Sequence, residues 1–348
     1  AWNTALACLE VRLLVDAVIA LKKADRESLR HAVAQFVAVP DRRWSTADPF
    51  LRKFEQGLEL KEGTAKYVEM KAVSLTPRLQ RVSSVNPENT LSPVTLDSTA
   101  LADCIIRDLR DVIADGTISP EDVARNRVYP MGAALGCILD YLNVDWKSGA
   151  QAAGTQFTFA GLIADALQLD STKLPHLATK AMNSYRYQDL LQAAENSVAL
   201  YRAGFDSAMT AFNSQSGTRV EFRCSGSGVS RSRSSGSKKW LADNGSKELR
   251  GHFNVYTLRG MSDPGFWFQL KDAGLLELND WGQRVKQVVF YSPGVDSLVV
   301  DGAQMSVTDD DRHRFKNLQL SGERFDIRTD RPGEVSISND AISIDLLP

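Results

Sequence analysis

The apolar residues of this chain change their spacing once, between residues 214 and 218, and that change limits the folds open to it. Before it they recur at helical intervals, as Leu6, Leu9, Leu13, Ala17 and Leu21 do, followed by Leu29, Val33, Phe36 and Val37. Phe50, Phe54 and Leu58 continue the pattern, and so do Leu101, Ile105, Leu109 and Val112. A stripe of Leu190, Ala194, Val198, Tyr201, Phe205 and Met209 predicts one long amphipathic helix over about 186–212. After the change the period is two. Val220 and Phe222 alternate with polar neighbours, as do Phe266, Phe268 and Leu270, and later Phe325 and Ile327, Val335 and Ile337, and Ile342, Ile344 and Leu346. Turn pairs such as Asp301-Gly302, Ser321-Gly322 and Pro332-Gly333 separate these runs. A length of 348 residues suits two domains. The expectation is a multidomain α plus β protein, with a mostly α-helical domain over 1–215 and an antiparallel β-sandwich-like domain over 218–348.

Local signals refine the outline. Pro40 is expected to end the second helix, because proline removes a backbone donor. Asp48-Pro49 predicts a helix start, with Asp as cap and Pro in the first turn. Ser119-Pro120-Glu121-Asp122 predicts another. Residues 74–96, rich in Ser, Pro, Asn and Thr, read as a long loop. The stretch 225–239, SGSGVSRSRSSGSKK, reads as a low-complexity basic loop. It has no interleaved aromatics, and the formal net charge is -2, so no nucleic-acid partner is expected. No apolar run is long enough for a membrane span. Cys8, Cys104, Cys137 and Cys224 are widely spaced with no CxxC, which argues against a cysteine metal site.

Two segments carry a resemblance. Leu58-Glu59-Leu60-Lys61-Glu62-Gly63-Thr64-Ala65-Lys66-Tyr67-Val68-Glu69 resembles the L-x-L-N-E-G-[FL]-A-x-Y-x-E segment of gluzincin-class zinc aminopeptidases. Tyr129-Pro130-Met131-Gly132-Ala133, continuing to Asp140, is similar to their Y-x-x-G-A-x-x-L-x-x-L segment, with Gly136 where that pattern has its first Leu. Lys61 stands in place of the common Asn and Thr64 in place of a bulky apolar residue. The resemblance implies a zincin-like helical domain and hydrolysis of a peptide or protein substrate by zinc-activated water. It implies that Glu62 is the third zinc ligand and that Tyr129 donates to the oxyanion. Gly63 would allow a neighbouring element to approach closely. Glu10, a carboxylate inside an otherwise apolar helix, is a further candidate ligand or supporting group, against a solvated helix carboxylate as the plain alternative.

Such sites take two more ligands from an HExxH helix. None occurs here: His31, His176, His252 and His313 each lack a partner four residues on. Two explanations stay open. Ala1 falls inside an apolar helical pattern, so the HExxH helix is expected upstream in the natural chain, and the chain as given is then inactive on its own. Alternatively the protein is a non-catalytic zincin-like scaffold that acts as a binding or cell-envelope protein; a secreted or periplasmic location would suit the β-rich part. Glu55, Glu59, Glu62, Lys66 and Glu69 also follow helical spacing, and a solvated charged face with a Glu62–Lys66 ion pair is the competing reading of the first segment. Oligomeric state is not readable from these patterns.

Overall fold

Ala, Leu and Val fill residues 2–22, and this run forms α1 (Trp2–Lys22), buried nearly all round. A helix apolar on every side belongs in the middle of a helical layer, and α1 packs there against α2 (Arg26–Trp44), α4 (Ser98–Val112) and α5 (Val128–Tyr141). The structure is a computed structural model that describes residues 1–45, 49–72, 98–114, 116–120, 122–123, 125–153, 157–224, 229–242, 247–260, 266–280, 284–307, 310–338 and 340–347. Between α2 and α4 lies α3 (Pro49–Leu58), which runs into a π-helical turn at Glu59–Gly63 and further helix over 64–72. After α5 come α6 (Trp146–Ala153), α7 (Phe159–Ala166), α8 (Leu174–Ser184) and α9 (Tyr187–Asn213). No helix among the described residues is long and apolar enough to cross a membrane.

Two helix boundaries differ from expectation. Pro40 lies inside α2, which continues to Trp44. Ser119-Pro120 opens a chain of turns instead of a helix, linked by Asp122 N to the Ser119 carbonyl and Val128 N to the Arg125 carbonyl. The Val123 carbonyl, which a regular helix would bond to the Arg127 amide, accepts the Arg127 Nε instead. The expected cap at Asp48 and the loop over 74–96 lie outside the described residues.

The chain divides into two compact units, Ala1–Tyr201 and Arg202–Pro348. The division falls within α9, because the end of that helix packs on the sheet: Phe205, Met209 and Phe212 meet Leu249, Leu276 and Val289. The strands are β1 (Thr218–Cys224), β2 (Val229–Ala242), β3 (Lys247–Gly260), β4 (Phe266–Leu270), β5 (Ala273–Asp280), β6 (Arg284–Ser292) and β7 (Ser297–Val300). They continue as β8 (Ala303–Gln304), β9 (Asp311–Phe315), β10 (Leu318–Gly322), β11 (Phe325–Thr329), β12 (Gly333–Ser338) and β13 (Ala341–Leu346). Their order is β8-β7-β10-β11-β4-β3-β5-β6-β1-β13-β12-β9, with β2 also on β3. Every pairing is antiparallel except β1 with β13.

The sheet doubles over on one apolar interior. Phe222 of β1 stacks on Phe266 of β4, and Phe290 of β6 meets Phe325 of β11, although neither pair of strands is adjacent. Residues 229–239, expected as part of a loop, belong to β2. Ser and Gly there offer no apolar alternation to read, yet the backbone pairs with β3 from Val229 to Ala242.

In the helical unit two glycines let α5 and the turn after α3 approach closely. A Cβ on Gly132 of α5 would lie 2.5 Å from the Gly63 Cα and 2.9 Å from the Glu59 carbonyl oxygen. Four residues on, a Cβ on Gly136 would meet the Tyr67 ring at 3.0 Å. The Tyr67 hydroxyl donates to Asp140. The two resemblance segments therefore pack directly on each other, and Gly63 has the role expected of it. Gly132→Ala is expected to destabilise the protein. The helix-propensity gain of about 1 kcal/mol is outweighed by an overpacking cost of about 1–3 kcal/mol, since both obstructing atoms are backbone. Gly57→Ala in α3, with nothing within 4 Å, should instead stabilise. Urea midpoints for the two variants shifting in the same direction would contradict this account of the crossing.

Candidate functional site

Glu10 lies among the buried apolar residues Leu6, Leu9, Val11, Leu13 and Leu14, so its side chain enters the core with α1 and is 1% exposed. A buried carboxylate needs an opposite charge with good geometry. Two arginines supply it. Arg43 follows Phe36 and Val39 at helical spacing on the buried side of α2 and is 0% exposed. Arg127 immediately precedes α5 and is 1% exposed. Arg43 Nε donates to Glu10 Oε1 at 2.7 Å, and Arg127 Nη1 donates to Glu10 Oε2 at 2.8 Å.

Glu55 of α3, also 1% exposed, completes the set. Its Oε1 accepts from Arg43 Nη1 at 3.0 Å. Its Oε2 accepts from Arg43 Nη2, from Arg127 Nη2 at 2.9 Å and from Trp44 Nε1 at 3.0 Å. Arg43 Nη1 reaches Asn3 Oδ1 as well, at 3.0 Å. Four segments thus meet at one network of two carboxylates and two guanidiniums. Burial would push Glu55 up, but Arg127 and Arg43 outweigh it and hold the carboxyl below its usual range. Burial likewise opposes the charge on Arg43, and Glu10 and Glu55 more than restore it.

Glu59, one turn after Glu55 and on the π-helical turn, faces the same cluster. Glu10, Arg43, Glu55, Glu59, Arg127 and Trp44 line a cavity of about 10 Å³, roughly the space of one water. The Glu59 carboxyl has no side-chain hydrogen bond to a described residue. Burial, with Arg127 opposing and the charges of Glu10 and Glu55 adding, raises its pKa to about 8. The raised value favours the protonated form of Glu59, in which the cluster balances at two negative and two positive charges.

The candidates named from sequence are placed as follows. Glu10 is buried and fully engaged by guanidinium groups, so it is not the solvated carboxylate of its plain alternative. Glu62 is half-buried on the π-helical turn, and Tyr129 is half-buried in the first turn of α5. Their segments are brought together by the glycine crossing. Among the described residues no three His, Cys, Asp or Glu side chains form a group able to hold a metal ion. The residues present therefore do not fit zinc by themselves, and the implied ion needs ligands beyond them. The solvated charged face is corrected: Glu55 is in the core, and Lys66 pairs with Glu69 at 3.1 Å and Asp108 at 3.4 Å instead of Glu62.

Arg43 and Arg127 were not singled out from the sequence, and Glu55 and Glu59 stood there only as members of a solvated charged face. Glu10 was the available signal, since a charge inside an apolar helix demands a cation, and Arg43 stands on the apolar stripe of the next helix. A second, smaller polar node ties α5 to the helix over 64–72 and to α6. Asp140 accepts from Tyr67, Lys71, Trp146 Nε1 at 2.9 Å and Lys147 at 3.0 Å. Burial raises its pKa, and these four donors bring it down to about 2. No family model matches the sequence, and no curated protein or solved structure matches it either.

Two outcomes follow. Arg127→Met leaves two buried carboxylates with one guanidinium, and the loss in unfolding free energy is expected to be about 3–5 kcal/mol. A loss below about 1 kcal/mol, the range of exposed pairs, would show that these charges are solvated. For Glu59 the unfolded value is near 4.5 and the folded value about 8. The folded protein then holds one extra proton between those values. Stability from this group is complete below the unfolded value and falls through the window by about 1.4 kcal/mol per pH unit. Glu59→Gln removes that slope, so the variant should become progressively more stable than the parent from pH 5 to pH 8. Parallel stability curves over that range would rule out the raised value.

Proposed function

We propose that this protein is a non-catalytic binding protein whose helical unit is a rigid scaffold. The observation that supports this reading is the cluster itself. Where paired carboxylates approach one another in the helical core, Arg43 and Arg127 occupy the space between them, and each oxygen of Glu10 and Glu55 accepts at least one N–H. A carboxylate so engaged is neither a free base nor an open ligand. Its two charges are worth more as a fastener of four segments than as reactive groups.

A second reading is favoured by one observation. The two segments that resemble gluzincin aminopeptidases are in van der Waals contact through Gly63 and Gly132, and are tied again through Tyr67 and Asp140. On that reading the chain is the later part of a zinc metallopeptidase. Glu62 and Tyr129 would keep the ligand and oxyanion-donor roles implied by the resemblance, completed by histidines that this chain does not contain.

Thermal unfolding with added zinc, and again with a chelator, separates the two. The binding-protein reading expects the same Tm in both and no hydrolysis of peptide substrates. Stoichiometric zinc uptake that raises Tm and is abolished by Glu62→Gln would overturn it in favour of the second.

A further inference from the structure

We propose that the outer face of β3, β4 and β11 is a docking surface for an acidic segment of a partner protein, centred on Trp267. This deepens, and rests on, the reading of the chain as a binding protein. Trp267 lies between Phe266 and Phe268, both core residues, so strand alternation turns it to the outside of the sheet. In the strand register it stands directly opposite Arg259 on one side and Arg328 on the other. Three adjacent strands thus present Arg, Trp and Arg in one row. The Arg259 guanidinium sits over the Trp267 ring, 4.9 Å from its centroid.

Among the described residues the charges of this face are not balanced. Arg328 is paired with Asp326 through Nη2 at 2.8 Å and Nε at 3.0 Å. Arg259 is exposed and has no carboxylate partner among the described residues. In the next row stand Thr257, which is buried, Gln269 and the Asp326 that pairs with Arg328, and Gln319 lies opposite Arg328. The face therefore has a partly covered tryptophan beside a guanidinium that meets no carboxylate among the described residues. Trp and Arg are the side chains that carry most of the energy in protein interfaces, typically inside a polar rim. The occupant that satisfies both groups is a segment placing a carboxylate on Arg259 and an apolar side chain on the indole. A nucleic acid fits less well, since one surplus charge on a chain of net charge -2 gives little phosphate attraction.

The test is fluorescence anisotropy on the full chain with three dye-labelled probes: a peptide of alternating Glu and Leu, the same peptide with Lys for Glu, and an oligo-dT strand. The Glu/Leu peptide is expected to bind and the Lys/Leu peptide not. Trp267→Thr and Arg259→Gln should each weaken the acidic probe by about tenfold, the scale of an interface hot spot, at unchanged Tm. Arg259 is exposed, so its variant keeps the test decisive if Trp267→Thr perturbs folding. Unchanged affinity in Arg259→Gln, tighter binding of oligo-dT, or no binding of the Glu/Leu peptide at millimolar concentration would overturn the proposal. Those outcomes leave the non-catalytic reading standing, whereas zinc-dependent hydrolysis removes that reading without touching this surface.

Discussion

Two arginines and two glutamates, all at most 1% exposed, hold the helical unit to one arrangement. Taking four charges out of water costs several kcal/mol per ion, and their mutual attraction returns this only when the geometry is complete. Here it is complete: Glu10 accepts from both arginines, Glu55 accepts from both and from Trp44, and Asn3 and the Val123 carbonyl take donors that remain. The network contributes less to stability than an apolar core of the same volume would. Its effect is selective. A helix slipped by one residue would strand a charge in the core, so α1, α2, α3 and the turns before α5 have one register that satisfies all four. The turns that link Ser119 to Asp122 and Arg125 to Val128 meet the same demand, because they deliver Arg127 from outside a regular helix.

The π-helical turn belongs to this arrangement. In a regular α-helix every fourth residue drifts around the axis by about 40°. Glu55, Glu59, Gly63 and Tyr67 are each four apart and all serve the interior: two face the charge cluster, one meets Gly132 and one meets Gly136 and Asp140. A wider turn in the middle of the row rewinds the drift and keeps the four on one side. Thr64 supports the turn, its hydroxyl donating to the Leu60 carbonyl and to the Lys61 carbonyl at 3.0 Å. That accounts for a Thr where an apolar residue was expected from the resemblance.

The same turn explains what was not legible in the sequence. Apolar spacing of 3.6 and 2 located the helices, the end of α9 and the strands after it, because burial on one face leaves a periodic record. Uniform α-helical spacing, applied across residues 59–63, put Glu62 and Lys66 with Glu55 on a solvated face. Glu55 and Glu59 face the charge cluster, and the wider turn that follows shifts Glu62 and Lys66 out of line with them. Buried charge is also invisible to a rule that reads polar residues as exposed. Of the whole cluster only Glu10 stood out, because it interrupts the apolar positions of α1. In the sheet the converse holds: β2 was unreadable because its Ser- and Gly-rich sequence has no apolar alternation, while its backbone still finds a partner in β3.

The topology of the second unit closes its core with strands distant in sequence. β1 is the first strand after α9, yet its neighbours are β6 and the last strand, β13, which runs parallel to it with Val220 beside Ile342 and Phe222 beside Ile344. Val220, Phe222, Ile342 and Ile344 are all essentially buried in the single interior. Pairing over such a separation in sequence is entropically slow. Until β13 arrives, β1 has an open edge flanked by apolar side chains, the kind of edge that recruits other chains. β12 and the short, charged β9 (Asp311, Arg312, His313, Arg314) then close that side, ending the row of strands on residues that resist further pairing. The parallel pair therefore makes the last strand the one that converts an exposed apolar edge into a finished core, and the charged strand beyond it keeps the finished sheet from growing.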